Sequence, residues 1–331
     1  MEPEAMLKSP ETHITNGASR EGFREFEDSH NSAPEAYAYD SLEEYESYFS
    51  KVVVSNSEEA RGSSSEDEKK DKSDEGSLVP SEELRKVLDP GVFTASVYPS
   101  YIRELRTIME DTWRMLKTGT VGGALGLDLG CGPMVQFPLL LTSNVECMVL
   151  AHYFDQTKTI IQGWLKDDQD NVLNLNDMLA SAATLADKPG NALKEQLKSC
   201  VADVVSCDLL NREKGHFLPE KYDQNDTFDV VVTSLLLEAV IPDLDTYTKV
   251  IKRIQGLLKR RGHLLMNGVL GMTHWDTKAG RFNCVTLTKE SLEKVFRDCG
   301  FLDLEWTIVD REYFHSVSDY AKSFLLLARK P

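Results

Sequence analysis

Three short stretches of this 331-residue chain hold residue types at spacings that can do chemistry. The first is Leu127-Asp128-Leu129-Gly130-Cys131-Gly132-Pro133. An apolar strand there feeds a turn with two glycines, and glycine lets the backbone pass close to a ligand where a side chain would collide. A dinucleotide site would continue the pattern to a third glycine and open a helix over a pyrophosphate. Here Val135 holds the third position and Pro133 interrupts the pattern. The turn therefore suits an adenosine cofactor without a phosphate, S-adenosylmethionine. The second stretch is Cys207-Asp208-Leu209, at the end of a later strand. A carboxylate there can accept a hydrogen bond from the exocyclic amine of adenine, or simply be solvated. The third is Ser234-Leu235-Leu236-Leu237-Glu238-Ala239-Val240. An unpaired buried carboxylate is costly, so Glu238 is expected to face a cleft or a cation, unless it is a surface residue at a helix start.

The elements that must position these residues form an alternating pattern. From Tyr101, the residues Ile102, Leu105, Ile108, Met109, Trp113 and Leu116 make one apolar helical face. Strands are predicted over 124–129, 146–152, 201–207, 228–233, 263–270, 302–309 and 323–329, and helices over 155–166, 243–258 and 289–299. Alternation of this kind argues for a mostly parallel, seven-stranded sheet covered by helices on both faces. The last two strands have no helix between them, so they can pair antiparallel. Residues 168–200 read as a helical insertion on the rim.

Composition divides the chain. Apolar residues make up 41% of it, slightly low for a chain folded throughout, and the deficit is local. About −12 of the net charge of −17 lies in the first eighty residues. Segments 1–35 and 55–80 cannot bury enough apolar surface to offset their ordering entropy and are expected to be disordered. Between them, over 36–54, Tyr39, Leu42, Tyr45, Tyr48 and Phe49 recur at helical spacing and predict one amphipathic lid helix. The folded domain is expected over 81–331. The acidic balance argues against nucleic acid and anionic membranes as partners. No signal peptide or membrane span is evident and the six cysteines contain no C-x-x-C pair. A cytoplasmic monomer without a metal site is the expectation.

Taken together, Asp128 to Pro133, Tyr153-x-Asp155-Gln156, Trp164-Leu165, Asp208, Leu237-Glu238-Ala239-Val240-x-Pro242-Asp243-Leu244 and the closing Leu327-Ala328-Arg329-Lys330 resemble the small-molecule N-methyltransferases. That family includes the nicotinamide, phenylethanolamine and indolethylamine enzymes. The resemblance covers about 98–331, with an echo of the family's cofactor-covering N-terminal helix in Tyr45-Glu46-Ser47-Tyr48-Phe49. It implies a Rossmann-like class I fold whose last strand runs antiparallel, and S-adenosylmethionine as cofactor. It places Asp128, Gly130, Gly132 and Pro133 around the cofactor's methionine part, and Tyr48 and Phe49 over it. His152, Tyr153 and Thr157 would follow the second strand, Asp208 and Leu209 the third, and Ser234 the fourth. Glu238 and Asp319 match acidic contacts to the substrate amine, and Trp275 falls beside the substrate.

Two departures carry weight. The family's second strand ends in an acidic residue that grips the ribose hydroxyls; His152 stands there, without a charge-assisted bidentate grip. Asp155 is the nearest candidate to compensate. The nicotinamide enzyme's substrate-side Asp and Ser align with Gly268 and Cys284, which speaks against nicotinamide. The implied reaction is in-line methyl transfer to a small arylalkyl or heteroaromatic amine, with Glu238 accepting a proton. Two other readings are a non-catalytic relative with weakened cofactor binding and a methyltransferase for a large acceptor.

Overall fold

The helix that precedes the glycine turn shows how local chemistry sets the frame. A computed structural model describes residues 78–79, 90–130, 132–168, 175–211, 217–277, 280–311 and 318–331. The acidic stretch 1–35 and the helix over 36–54, with Tyr48 and Phe49, lie outside the described residues, as does 55–80 apart from Leu78–Val79. Helix α1 runs Pro90–Lys117, eleven residues longer at its start than periodicity suggested. Pro90 suits a first helical turn, where its missing N–H costs nothing. Pro99, with Val92, Thr94 and Val97 around it, hides the early turns, because these residues disfavour a helix interior. The apolar face is as read: Leu105, Ile108, Met109 and Leu116 are buried.

In chain order, strand β1 (Leu78–Val79) and α1 are followed by β2 (Gly123–Gly130), α2 (Gln136–Leu141), β3 (Val145–His152), α3 (Asp155–Leu165), α4 (Asn176–Ala186), α5 (Gly190–Cys200) and β4 (Val201–Ser206). Then come β5 (Phe228–Ser234), α6 (Leu237–Val240), α7 (Leu244–Leu257), β6 (Leu258–Leu270), β7 (His274–Thr277), β8 (Gly280–Asn283), α8 (Lys289–Asp298), β9 (Leu302–Asp310) and β10 (Lys322–Arg329). The main sheet has seven strands in the order β4-β3-β2-β5-β6-β10-β9. The first five run parallel, and β10 is antiparallel to both β6 and β9. This is the class I methyltransferase fold. The antiparallel pair follows from the short β9–β10 connection, since a parallel return needs a crossover of a dozen or more residues. From Met148 to His152 every residue of β3 is buried. Successive residues of a strand point to opposite faces, so the sheet is covered on both.

Two expectations need correction. Helices α4 and α5 are present, but they are no rim insertion. α5 runs directly into β4 and packs on β3 and β4, burying Leu193 and Leu197. The helical content was legible, but the apolar residues of these helices gave no hint of what they covered. The hairpin β7–β8, with β1 parallel to β8, had no counterpart in the sequence reading, because its strands are four residues long. Its signal was Trp275 and Phe282, which pair across the strands with rings 5.3 Å apart.

Strand order reverses at β2: the chain leaves it toward β3 on one side, and β5 lies on the other. Ligands of open α/β sheets bind at the carboxyl ends of strands at such a point. Among the described residues no helix is long and apolar enough to cross a membrane.

Candidate active site

At that reversal the register sets Gly130 between His152 of β3 and Ser234 of β5. Residues paired in register share a sheet face, as do residues two apart in a strand. Asp128, Gly130, His152 and Ser234 therefore stand on one face at the strand ends. A Cβ at Gly130 would lie 3.4 Å from His152 Nδ1 and 3.6 Å from Asp128 Oδ2. Those are ordinary contact distances, so the surrounding chain does not itself require glycine at 130. His152 is fully buried, and neither ring nitrogen has a hydrogen-bond partner. Burial lowers its pKa to about 4, so the imidazole is neutral. Burial also raises the Asp128 carboxyl to about 8. Both groups that flank Gly130 are thus uncharged at neutral pH. Gly132 and Pro133 are buried in the turn that follows.

Asp155, the candidate to compensate for His152, stands at the start of α3. Its side chain is 71% exposed, accepts a hydrogen bond from Ser206 Oγ, and pairs with Lys158 at 3.8 Å. Tyr153 and Thr157 are buried, and the Tyr153 N–H donates to the Gly130 carbonyl at 2.9 Å. Beyond β4, Asp208 is half-buried, and its Oδ1 accepts from the Leu210 N–H at 3.3 Å. Leu209 is buried beside it. Sequence reasoning missed Gln136, which opens α2 just after the turn. Its side chain is fully buried, with neither amide atom partnered. A polar residue at the start of the otherwise apolar Gln136–Leu141 run was the available signal.

The other half of the site begins where β5 ends. Ser234 Oγ and Asn267 Oδ1 are 2.9 Å apart, and Asn267 Nδ2 donates to the Phe324 carbonyl at 3.0 Å. Leu235 then takes a left-handed conformation, φ 49°, which is costly for a bulky residue. That kink turns the chain into α6, whose four residues are all buried. Glu238 is among them. Its Oε1 accepts from the Val269 N–H at 3.2 Å, and its Oε2 has no partner. Burial raises the carboxyl from 4.5 to about 7. Glu238 is thus no surface residue at a helix start, and its second carboxylate oxygen is buried without a partner. A Cβ at Gly268 would lie 3.0 Å from Glu238 Oε1 and 2.8 Å from the Phe324 ring. Glycine here is required by the chain itself. Gly268→Ala is expected to cost about 1–3 kcal/mol by overpacking, read as a melting temperature several degrees lower; an unchanged value would show that Phe324 yields freely. Gly268 is out of phase by one residue with Asn267, so Glu238 reaches the strand ends from the face opposite Asp128 and His152.

Asp319 and Trp275 meet this half through the β7–β8 hairpin. The Asp319 carboxylate accepts from the backbone N–H groups of Thr273 (2.8 Å) and His274 (3.2 Å) and from the Thr273 hydroxyl. Partial burial works to raise its pKa, but these hydrogen bonds hold it below the usual range. Trp275 is buried and forms a bridge with Ser318. The Cys284 N–H donates to the Thr273 carbonyl, and the next N–H, of Val285, donates to the Glu238 carbonyl. Two adjacent residues thus tie the Asp319 loop to α6. The Cys284 thiol registers both carboxylates: burial first, then Glu238 and Asp319, push its pKa far up.

The buried nitrogens of His152, the amide of Gln136 and the space kept at Gly130 fit a polar, uncharged sugar-bearing ligand such as the adenosyl part of S-adenosylmethionine. Residues 99–331 match the family described as NNMT/PNMT/TEMT. The chain is 28% identical to indolethylamine N-methyltransferase of Mus musculus over 224 residues, 67% of this chain and 83% of that one. It is 25% identical to nicotinamide N-methyltransferase of Homo sapiens over 232 residues, 68% and 84% of the two chains. To human phenylethanolamine N-methyltransferase it is 26% identical over 219 residues, 64% and 76%.

Proposed function

Since the chain belongs to the NNMT/PNMT/TEMT family of S-adenosylmethionine-dependent N-methyltransferases of small amines, we propose that its acceptor is an arylalkylamine or a heteroaromatic amine held by Glu238. The observation that carries this is the fully buried Glu238 carboxyl with an unpartnered Oε2. A buried acceptor left without a donor costs about 1–3 kcal/mol, and an amine N–H supplies the donor. With its pKa near 7, Glu238 can hold the amine as a carboxylate and take up a proton at working pH.

The cofactor, when bound, supplies a methyl group on a sulfonium. Glu238 would hold the amine nitrogen toward that methyl group, and its Oε2 would accept the proton that the nitrogen gives up. The chain's part is alignment and proton acceptance, with no need of a metal. Asp319 contributes negative charge that attracts an ammonium, although three of its acceptor positions serve Thr273 and His274. Trp275 and Phe282 offer an aromatic wall. The residues that would meet the cofactor are Asp128, Gly130, Gly132 and Pro133 with Gln136, then His152, Tyr153 and Thr157, then Asp208, Leu209 and Ser234. A neutral His152 offers one donor and one acceptor nitrogen, which suits two ribose hydroxyls. Nicotinamide fits poorly, because Gly268 cannot become the Asp of that enzyme without displacing Phe324 and Glu238.

A panel of amines, read as S-adenosylhomocysteine release, tests the acceptor. Turnover with aryl- or heteroarylamines supports the proposal; turnover only with large acceptors overturns it. His152 also motivates a reading as a relative that no longer binds cofactor. Calorimetric titration decides between them, since absence of heat at millimolar S-adenosylmethionine would favour that second reading.

A further inference from the structure

Asp223 is a buried carboxylate that the chemistry above does not use. It lies fifteen residues beyond Asp208, and its side chain is 1% exposed. The hydrogen bonds of its two carboxylate oxygens point in two directions. Oδ2 accepts from the backbone N–H groups of Phe217 and Leu218, each at 2.8 Å. Oδ1 accepts from Arg253 Nε at 2.7 Å and also from Arg253 Nη2, which in addition reaches the Asp223 carbonyl. The third guanidinium nitrogen, Nη1, donates to Asn225 Oδ1 at 2.7 Å. Arg253 stands on α7, a helix fixed by five buried side chains, Tyr247, Val250, Ile251, Ile254 and Leu257. From Phe217 the connection continues: its carbonyl accepts from the Asp208 N–H at 2.8 Å. A second anchor comes from β4, where Asp203 accepts from Lys221 Nζ at 2.8 Å and from the Tyr222 hydroxyl at 3.2 Å.

We propose that Asp223 and Arg253 are positioning residues for the adenine end of the cofactor site, acting on Asp208 through Phe217. This rests on the reading of Asp208 as the adenine contact. The chain of contacts runs from a rigid helix through a planar, two-nitrogen grip on one carboxylate oxygen to two backbone donors, and from the same residue to the Asp208 main chain. A carboxylate discriminates between a donor and an acceptor on the base only if its backbone is held to a fraction of an ångström. Locally, Asp208 Oδ1 accepts from the Leu210 N–H and its carbonyl accepts from the Asn211 N–H at 3.1 Å. The Phe217 carbonyl adds a restraint that leads through Asp223 to α7.

The test compares binding of S-adenosylhomocysteine with that of S-inosylhomocysteine, in which a carbonyl replaces the exocyclic amine. Calorimetry on the full chain gives both constants. The wild type is expected to prefer the adenosyl compound by about tenfold or more, since a mismatched partner leaves a buried acceptor unpaired. Asp208→Ala should abolish that preference. Asp223→Asn should reduce it to within about threefold while the inosyl constant stays within about threefold of wild type. Arg253→Gln should act in the same direction; it leaves Asp223 its two backbone donors, so the fold persists even if Asp223→Asn does not fold. Lys259→Gln breaks a comparable pair with Asp229, 2.8 Å apart, and should lower stability without changing the preference. Equal loss of both affinities, or a lower melting temperature with the preference intact in Arg253→Gln, would overturn the positioning role alone. If Asp208→Ala keeps the wild-type preference, the adenine reading itself falls and takes this inference with it.

Discussion

Glu238→Gln should lower kcat by about two to three orders of magnitude and change S-adenosylhomocysteine affinity by less than about threefold. The substitution keeps the volume beside Gly268 and Phe324, and the Gln oxygen can still accept from Val269. What it removes is the capacity of the Oε2 position to take a proton and to carry charge. The opposite-face placement predicts the asymmetry between the two measurements: Asp128, Gly130 and His152 lie across the sheet from this carboxyl, so cofactor binding should hardly register its loss. A variant with near wild-type kcat across the amine panel would remove Glu238 from the chemistry.

The same group carries a pH signature whose sign follows from its burial. Its pKa rises from 4.5 in the unfolded chain to about 7 in the fold, so between those values the folded state holds more protons. Stability from the protonated form is complete below 4.5 and is lost as pH rises through 7, by about 3 kcal/mol in all. Activity runs the other way, because only the carboxylate accepts a proton. Wild-type kcat should climb through pH 7, and the Gln variant should lose that inflection. The Gln variant should also melt higher than wild type at pH 8 and at a similar temperature at pH 5. A buried acid retained at a cost in stability is the pattern of a group kept for function. Equal melting temperatures at both pH values would show that Glu238 titrates near its ordinary range.

The features legible in the sequence were those with a period or a punctuation mark. Runs such as Met148-Val149-Leu150-Ala151 declared buried parallel strands, and the missing helix between β9 and β10 declared an antiparallel pair. Leu237-Glu238-Ala239 declared a carboxylate among apolar neighbours, and it is buried as that context required. Long-range pairings were hidden. Nothing near Asp319 in the chain announces that Thr273 and His274 will occupy its oxygens, forty-five residues away or more. Asp155 was a reasonable substitute for a missing ribose carboxylate by spacing, yet Ser206 and Lys158 take it up. His152 was legible as a departure, but its neutral state with two unpartnered nitrogens depends on the burial that β2, β4 and the turn impose together. The strand expected over 263–270 begins earlier, at Leu258, and runs through Arg260 and Arg261, with Arg261 at φ 64° and its N–H donating to the Lys330 carbonyl.

Gly130→Ala should leave the melting temperature within about 2 °C of wild type and weaken S-adenosylhomocysteine binding about tenfold to a hundredfold. The two halves of that expectation have separate causes. For the fold, the added methyl meets His152 Nδ1 at 3.4 Å and Asp128 Oδ2 at 3.6 Å, and Gly130 has no left-handed φ to protect. Alanine also narrows the unfolded ensemble, which stabilises by a few tenths of a kcal/mol to about 1. For the ligand, that methyl occupies the space between two uncharged polar groups at the point of strand reversal. Intruding one methyl into a fitted contact costs about 1–3 kcal/mol, which is the stated loss in affinity. Gly268→Ala is the internal contrast: there the methyl strikes Phe324 and Glu238, so stability should fall. If Gly130→Ala loses stability instead and binds cofactor normally, the glycine serves strand packing and the binding site must lie off this turn. If it keeps both, the turn approaches no ligand at all, and the buried His152 loses its reason for having two unpartnered nitrogens.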